Sequence, residues 1–151
     1  MNEVINTDHF VSEAASIIKA TIAESNESVF RMSLCGGGTP RPIYEALVKE
    51  AIDWENLEIT FSDERCVPPD HDDSNYKMAA DALLSKVSIK ENNIIRIEGE
   101  LDPVESSLQC EEELRKRSGG SIYVHDLLLL GMGEDGHTAS LFPGTKALNE
   151  S

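Results

Sequence analysis

Three short stretches of this 151-residue chain carry residue types that suit chemistry better than packing. The richest is Gly131-Met132-Gly133-Glu134-Asp135-Gly136-His137-Thr138. An imidazole titrates near neutrality, so His137 can take or give a proton at physiological pH as a general base or acid. A chain that needed only a turn would not place three glycines around one histidine, and the stretch reads as functional. A second stretch is Gly36-Gly37-Gly38-Thr39-Pro40. Consecutive glycines tolerate positive φ and let main-chain N–H groups approach an anion closely. A helix starting here would add its positive end, and Thr39 a hydroxyl. The run serves either as a tight strand-to-helix turn or as a phosphate cradle. It is neither a Walker loop nor a Gly-x-Gly-x-x-Gly fingerprint. The third stretch, Ser62-Asp63-Glu64-Arg65-Cys66-Val67-Pro68, mixes two carboxylates with a guanidinium. Arg65 can offer a planar donor fork to phosphate or carboxylate, and Asp63 or Glu64 can accept from sugar hydroxyls. Taken alone, this loop reads first as a solvated segment with a local ion pair. The remaining histidines, His9, His71 and His125, stand among polar neighbours and are expected at the surface.

Loops of this kind need elements to hold them, and the periodicity supplies these. Residues 8–24 place Val11, Ala14, Ala15, Ile18 and Ile22 at helical spacing, with Thr7 or Asp8 as cap. Residues 29–34 and 57–61 read as short strands, and residues 42–51 as a helix that tolerates Pro42 in its first turn. Ser74 caps a helix through residue 86, residues 94–97 form a further strand, and Asp102-Pro103 opens a helix to about residue 117. The run Asp126-Leu127-Leu128-Leu129-Leu130 has the continuous apolar character of a strand buried on both faces. Strands alternating with helices imply an α/β fold, a doubly wound, mainly parallel sheet with helices on both faces. All three chemistry-bearing loops then leave strand carboxyl ends, where such sheets bind ligands.

Composition narrows the classes. Thirteen basic against 28 acidic residues leave a formal charge of −15, which argues against a nucleic-acid partner needing a basic face. Forty per cent hydrophobic and 27% charged residues suit one globular domain over residues 1–151. No apolar run is long enough for a bilayer, no export signal is visible, and three cysteines without paired spacing suit the reducing cytoplasm. No histidine–cysteine set has zinc spacing, so no metal is expected.

Taken together, Gly36-Gly37-Gly38-Thr39-Pro40, then Asp63-Glu64-Arg65-Cys66-Val67-Pro68 with Asp73-Ser74-Asn75-Tyr76, then residues 130–144 from Leu130-Gly131-Met132-Gly133 through His137 to Phe142-Pro143-Gly144, strongly resemble the 6-phosphogluconolactonase family. That family shares a Rossmann-like fold group with glucosamine-6-phosphate deaminases and isomerases. The resemblance implies hydrolysis of 6-phosphogluconolactone to 6-phosphogluconate, the second step of the oxidative pentose phosphate pathway, without a cofactor. It implies His137 as the base that deprotonates water and Asp135 as the residue that orients it or a sugar hydroxyl. Arg65, Gly37, Gly38 and Thr39 would hold the phosphate, with Asp63 and Gly133 beside the substrate. In the deaminases the histidine motif continues into Asn-Glu-Pro, where this chain has Leu141-Phe142-Pro143, and an aromatic follows Asp-Glu where this chain has Arg65. Both departures favour the lactonase over a deaminase. Family members continue well beyond residue 151, so the C-terminal part of the domain is expected to be missing, with a basic residue near the phosphate. A non-catalytic sugar-phosphate-binding module, or a cysteine hydrolase using Cys35 or Cys66, are the competing classes; the oligomeric state stays open.

Overall fold

The computed structural model describes residues 3–149. Its first helix, α1 (Phe10–Glu24), buries Ala15 and Ile18 and packs Ala14 and Ile22 beside them. This is the stripe that helical spacing predicts. Neither Thr7 nor Asp8 caps it: the capping position falls on His9, which makes no side-chain cap, and Thr7 Oγ1 accepts only from the His9 N–H at 3.0 Å.

Strands β1 (Phe30–Leu34) and β2 (Leu57–Phe61) run parallel, with Phe30 opposite Leu57, Met32 opposite Ile59 and Leu34 opposite Phe61. Because side chains alternate across a strand, these six residues share one face. That face is buried against α1, α2 (Arg41–Leu47) and α3 (Asn75–Ala82), with Ile18, Tyr44, Leu47, Ala79, Ala82 and Leu83 in the same core. The opposite face presents Arg31, Ser33, Glu58 and Thr60. Helix α4 (Pro103–Arg117) reaches that face with its last residue, whose Nη1 donates to Glu58 Oε1 at 2.9 Å. Tyr123 donates to Glu58 Oε2 at 3.0 Å, and Arg31 Nε lies 3.4 Å from the same oxygen. The sheet therefore has one apolar and one polar side, with helices on both.

Strand β3 (Leu127–Leu128) pairs in parallel with the other edge of β1, giving the order β2-β1-β3. The chain leaves β1 towards one side and later returns on the other, so the order reverses beside β1. This is the position where an open α/β sheet forms its ligand crevice.

Several elements are shorter than their periodicity predicts. Helix α2 stops at Leu47 instead of residue 51, and α3 stops at Ala82 before a separate 3-10 turn at Leu84–Lys86. Residues 94–97 do not form a strand. Ile94 makes one parallel bridge to Ile59, after which Arg96 turns to pair with Glu100 at 2.7 Å and to lie over the Tyr76 ring. Among the described residues the run 126–130 is buried on one face: Leu127 and Leu129 pack on the core, Leu128 and Leu130 are exposed, and β3 pairs with β1. No helix among the described residues is long and apolar enough to cross a membrane.

Candidate active site

The glycine loop begins where β1 ends. Cys35, the first residue beyond the strand, is gripped through its main chain by Tyr44 of α2. The phenol donates to Cys35 C=O at 2.8 Å and accepts from Cys35 N–H at 3.0 Å. Tyr44 is fully buried, and desolvation holds its hydroxyl far above the usual phenol range, so it remains a neutral two-way partner. Two glycines of the run are then required by structure. Gly37 has φ +96°, in the left-handed region, and a Cβ on Gly36 would overlap the carboxamide of Asn75.

The loop after β2 is built on the start of α3. Glu64 Oε1 accepts from the main-chain N–H of Arg65 at 2.7 Å and of Asn75 at 2.8 Å. Its Oε2 accepts from Tyr76 N–H at 2.9 Å and from Ser74 Oγ at 3.1 Å. A carboxylate at the positive end of a helix is well placed electrostatically, and both of its oxygens are committed. Glu64 is therefore a structural anchor and not a candidate for sugar hydroxyls. The local ion pair anticipated for this loop does not form either. Among the described residues Arg65 pairs with no carboxylate, and it faces the crevice. From beneath, Gly99 lets the carbonyls of Arg65 and Val67 pack where any side chain would collide with them.

The loop after β3 closes on itself. Gly133 N–H donates to His137 C=O at 2.8 Å, Gly136 N–H to Gly133 C=O at 3.0 Å, and Thr138 Oγ1 to Gly131 C=O at 2.8 Å. Gly136 takes φ +84°. Inside this loop Asp135 Oδ1 lies 2.5 Å from His137 Nδ1 and also accepts from the His137 N–H at 3.2 Å. The hydrogen bond from His137 holds the Asp135 carboxyl below its ordinary range, so it is ionised at neutral pH and accepts. Nδ1 then carries the proton, which leaves the lone pair of the neutral ring on Nε2. The Phe142 ring stacks on the imidazole, with centroids 4.3 Å apart and planes at 31°. The imidazole also packs so tightly on Gly133 that a Cβ there would overlap Nδ1 and Cε1.

These loops enclose one cleft of about 260 Å³ at the strand carboxyl ends. Gly37, Gly38, Thr39, Asp63, Arg65, Gly133 and His137 all line it, while Asp135 stands behind His137. Stretches nearly a hundred residues apart in the chain thus share one wall. Asn75 and Ser140 belong to the same assembly without having stood out in the sequence; the motif runs Ser74-Asn75 and Ser140-Leu141-Phe142 contain them, without any sign of what they touch, and Phe142, noted as a departure from the deaminases, joins them by its stacking on His137. Cys35 lines the cleft, but burial pushes its thiol up, away from the thiolate a nucleophile needs. Cys66 is exposed outside the lining. His125 is not a surface residue as expected. It is half-buried under the polar sheet face, with Nε2 2.8 Å from Thr60 Oγ1. Among the described residues no three histidine, cysteine or acidic side chains gather where they would hold a metal ion.

Comparison with known proteins agrees with this architecture. A family profile described as glucosamine-6-phosphate isomerases/6-phosphogluconolactonase matches residues 5–151. The 6-phosphogluconolactonase of Synechocystis sp. is 44% identical over 135 residues, covering 87% of this chain and 55% of that protein. That of Nostoc sp. is 39% identical over 136 residues, covering 87% and 57%. This chain therefore spans about half the length of the curated relatives it matches. The crystal structure of 6-phosphogluconolactonase from Thermotoga maritima superposes with a TM-score of 0.85 at 30% identity, over 92% of this chain and 63% of that one. A monomeric glucosamine-6-phosphate deaminase superposes with a TM-score of 0.78 at 25% identity, over 95% and 59%. By the extent of the profile match and by the fold that carries its cleft, the chain belongs to the glucosamine-6-phosphate isomerase/6-phosphogluconolactonase family.

Proposed function

We propose that the cleft binds a six-carbon sugar lactone by its phosphate and hydrolyses it, as 6-phosphogluconolactone to 6-phosphogluconate in the oxidative pentose phosphate pathway. One observation carries this reading: an imidazole with Nδ1 held by Asp135 lines the same cleft as the glycine loop and Arg65, which pairs with no carboxylate among the described residues. His137 Nε2 takes a proton from water as its oxygen bonds to the lactone carbonyl carbon. The tetrahedral oxyanion then collapses, the ring C–O bond breaks, and the leaving oxygen recovers the proton from the imidazolium. A carboxylic acid and a hydroxyl result, the acid loses its proton to solvent to become the carboxylate, and neither metal nor cofactor is consumed. Arg65 supplies the bidentate fork for the phosphate, and Gly37, Gly38 and Thr39 its main-chain and hydroxyl donors. With a chain charge of −15 and screening over about 8 Å at physiological salt, these local donors must do the binding. Asp63 and Gly133 complete the wall beside the sugar. Free thiols at Cys35, Cys66 and Cys110 suit a cytoplasmic reaction.

The deaminase alternative fares less well at one residue. Phe142, stacked on the histidine, has no group that can move or hold a proton. The test compares 6-phosphogluconolactone with unphosphorylated gluconolactone, after subtraction of spontaneous hydrolysis. His137→Asn should lower kcat by about 10²–10⁴-fold on both with KM nearly unchanged. Arg65→Ala should raise KM chiefly for the phosphorylated lactone, with only partial rescue by Arg65→Lys. Undiminished turnover in His137→Asn removes the imidazole from the mechanism. Equal KM losses on both lactones in Arg65→Ala remove the phosphate role.

A further inference from the structure

Two consecutive residues that are not glycine, Ala139 at φ +48° and Ser140 at φ +60°, take the left-handed conformation immediately after His137 and Thr138. Side chains disfavour that region, so the turn needs support. Leu141 N–H closes it locally by donating to Thr138 C=O at 2.9 Å, and a long-range bond fixes where the closed turn sits. Ser140 Oγ donates to Asp63 Oδ2 across 77 positions of sequence, from the loop after β3 to the loop after β2. Asp63 is itself fixed from behind. Ser62 Oγ donates to Oδ1 at 3.0 Å, and Asn75 Nδ2 donates to the Asp63 main-chain carbonyl at 3.0 Å. Asn75 is almost fully buried at the head of α3, and its carboxamide packs against Gly36 of the glycine loop.

We propose that Asp63 is a positioning residue: through Ser140 it anchors the left-handed turn at Ala139–Ser140 to the loop after β2 and so sets where His137 stands over the cleft. The inference rests on the lactonase reading for its kinetic consequence, but not for the tether itself. One end of the 131–142 loop leaves β3, and its internal bonds close 133–137 without joining that segment to β1 or β2. The Asp63–Ser140 bond joins the far side of this loop to the β2 loop that presents Arg65. Base and phosphate anchor therefore keep a common frame, as a reaction needing water, base and a held phosphate in one geometry requires.

The test uses Ser140→Gly, which deletes the hydroxyl while relieving the backbone, together with Asp63→Ala, Asp63→Asn and the double variant Asp63→Ala/Ser140→Gly. Amide hydrogen exchange over residues 131–142, measured without ligand, reads the tether directly. Exchange there should speed up by about 10-fold in Ser140→Gly and in Asp63→Ala, and the double variant should go no further, because the two act as one unit. Asp63→Asn keeps an acceptor oxygen and should retain most of the protection. On the kinetic side, kcat should fall by about 10–100-fold on phosphorylated and unphosphorylated lactone alike, with KM within about threefold. Additive effects in the double variant, or unchanged exchange in both single variants, overturn the proposal. A selective KM rise in Asp63→Ala without faster exchange would show that Asp63 touches sugar. If exchange couples as expected while the unmodified chain turns over no lactone, the tether stands and the lactonase reading falls.

Discussion

Tyr44→Phe isolates a single hydroxyl on which the glycine loop depends. The phenol accepts from Cys35 N–H and donates to Cys35 C=O, at 3.0 and 2.8 Å, from a fully buried position on α2. Phenylalanine fills nearly the same volume, so no cavity opens and the loss is confined to hydrogen bonding. Two main-chain groups are then left without their partner, and a buried orphan costs about 1–3 kcal/mol. Cys35 borders the cleft, so water can partly satisfy one of the two. The expected destabilisation is about 2–4 kcal/mol, a large share of a typical domain stability of about 5–15 kcal/mol. At roughly 2–4 °C per kcal/mol for a chain of this size, Tm should fall by about 4–16 °C. Urea unfolding should show a lower midpoint with an unchanged m-value, since the surface exposed on unfolding stays the same. Because Cys35 leads directly into Gly36 and Gly37, affinity for inorganic phosphate should drop in the same variant. A stability loss below about 0.5 kcal/mol, the range of an ordinary surface change, would show that Tyr44 does not hold the loop.

Two further outcomes follow from the same geometry. Gly133→Ala forces the His137 ring off its seat, and a displacement of about 1 Å is expected to cost about 10²-fold in kcat, while the exposed loop leaves Tm almost unchanged; full activity in a correctly folded variant would contradict the packing seen here. Burial holds His125 below its ordinary value of 6.5, so above that pH both native and unfolded chains carry it neutral. As pH falls through 6.5 the unfolded chain takes the proton first, so stability should decline from there to the lower native value and then level. Urea midpoints across this window should show the decline in the unmodified chain and a flatter profile in His125→Gln.

The glycine run and the histidine loop stood out in the sequence as unusual residue types, whereas the Arg65 loop, taken alone, read as a solvated segment and gained its place from the company of the other motifs. Glycine takes the left-handed angle at Gly37, φ +96°, without the cost a side chain would bring, and an imidazole is the side chain whose ordinary range lies near neutral pH. The parallel α/β class was legible for a similar reason: alternating short apolar strands and amphipathic helices admit few packings. What stayed hidden depends on partners far along the chain. Glu64 looked like a free carboxylate, yet the position of α3 eleven and twelve residues on engages both its oxygens. The leucine run at 126–130 has a core strand's composition, but among the described residues Leu127 and Leu129 pack on the core while Leu128 and Leu130 are exposed on the opposite face. Residues 94–97 have a strand's composition too, yet they make a single bridge, Ile94 to Ile59, among the described residues. Composition and spacing determined which chemically capable groups were available and the class of sheet that would carry them. The tertiary structure alone decided which of those groups became anchors and which faced the cleft, because a side chain's role follows from the charges and hydrogen-bond partners that folding brings within about 3 Å of it.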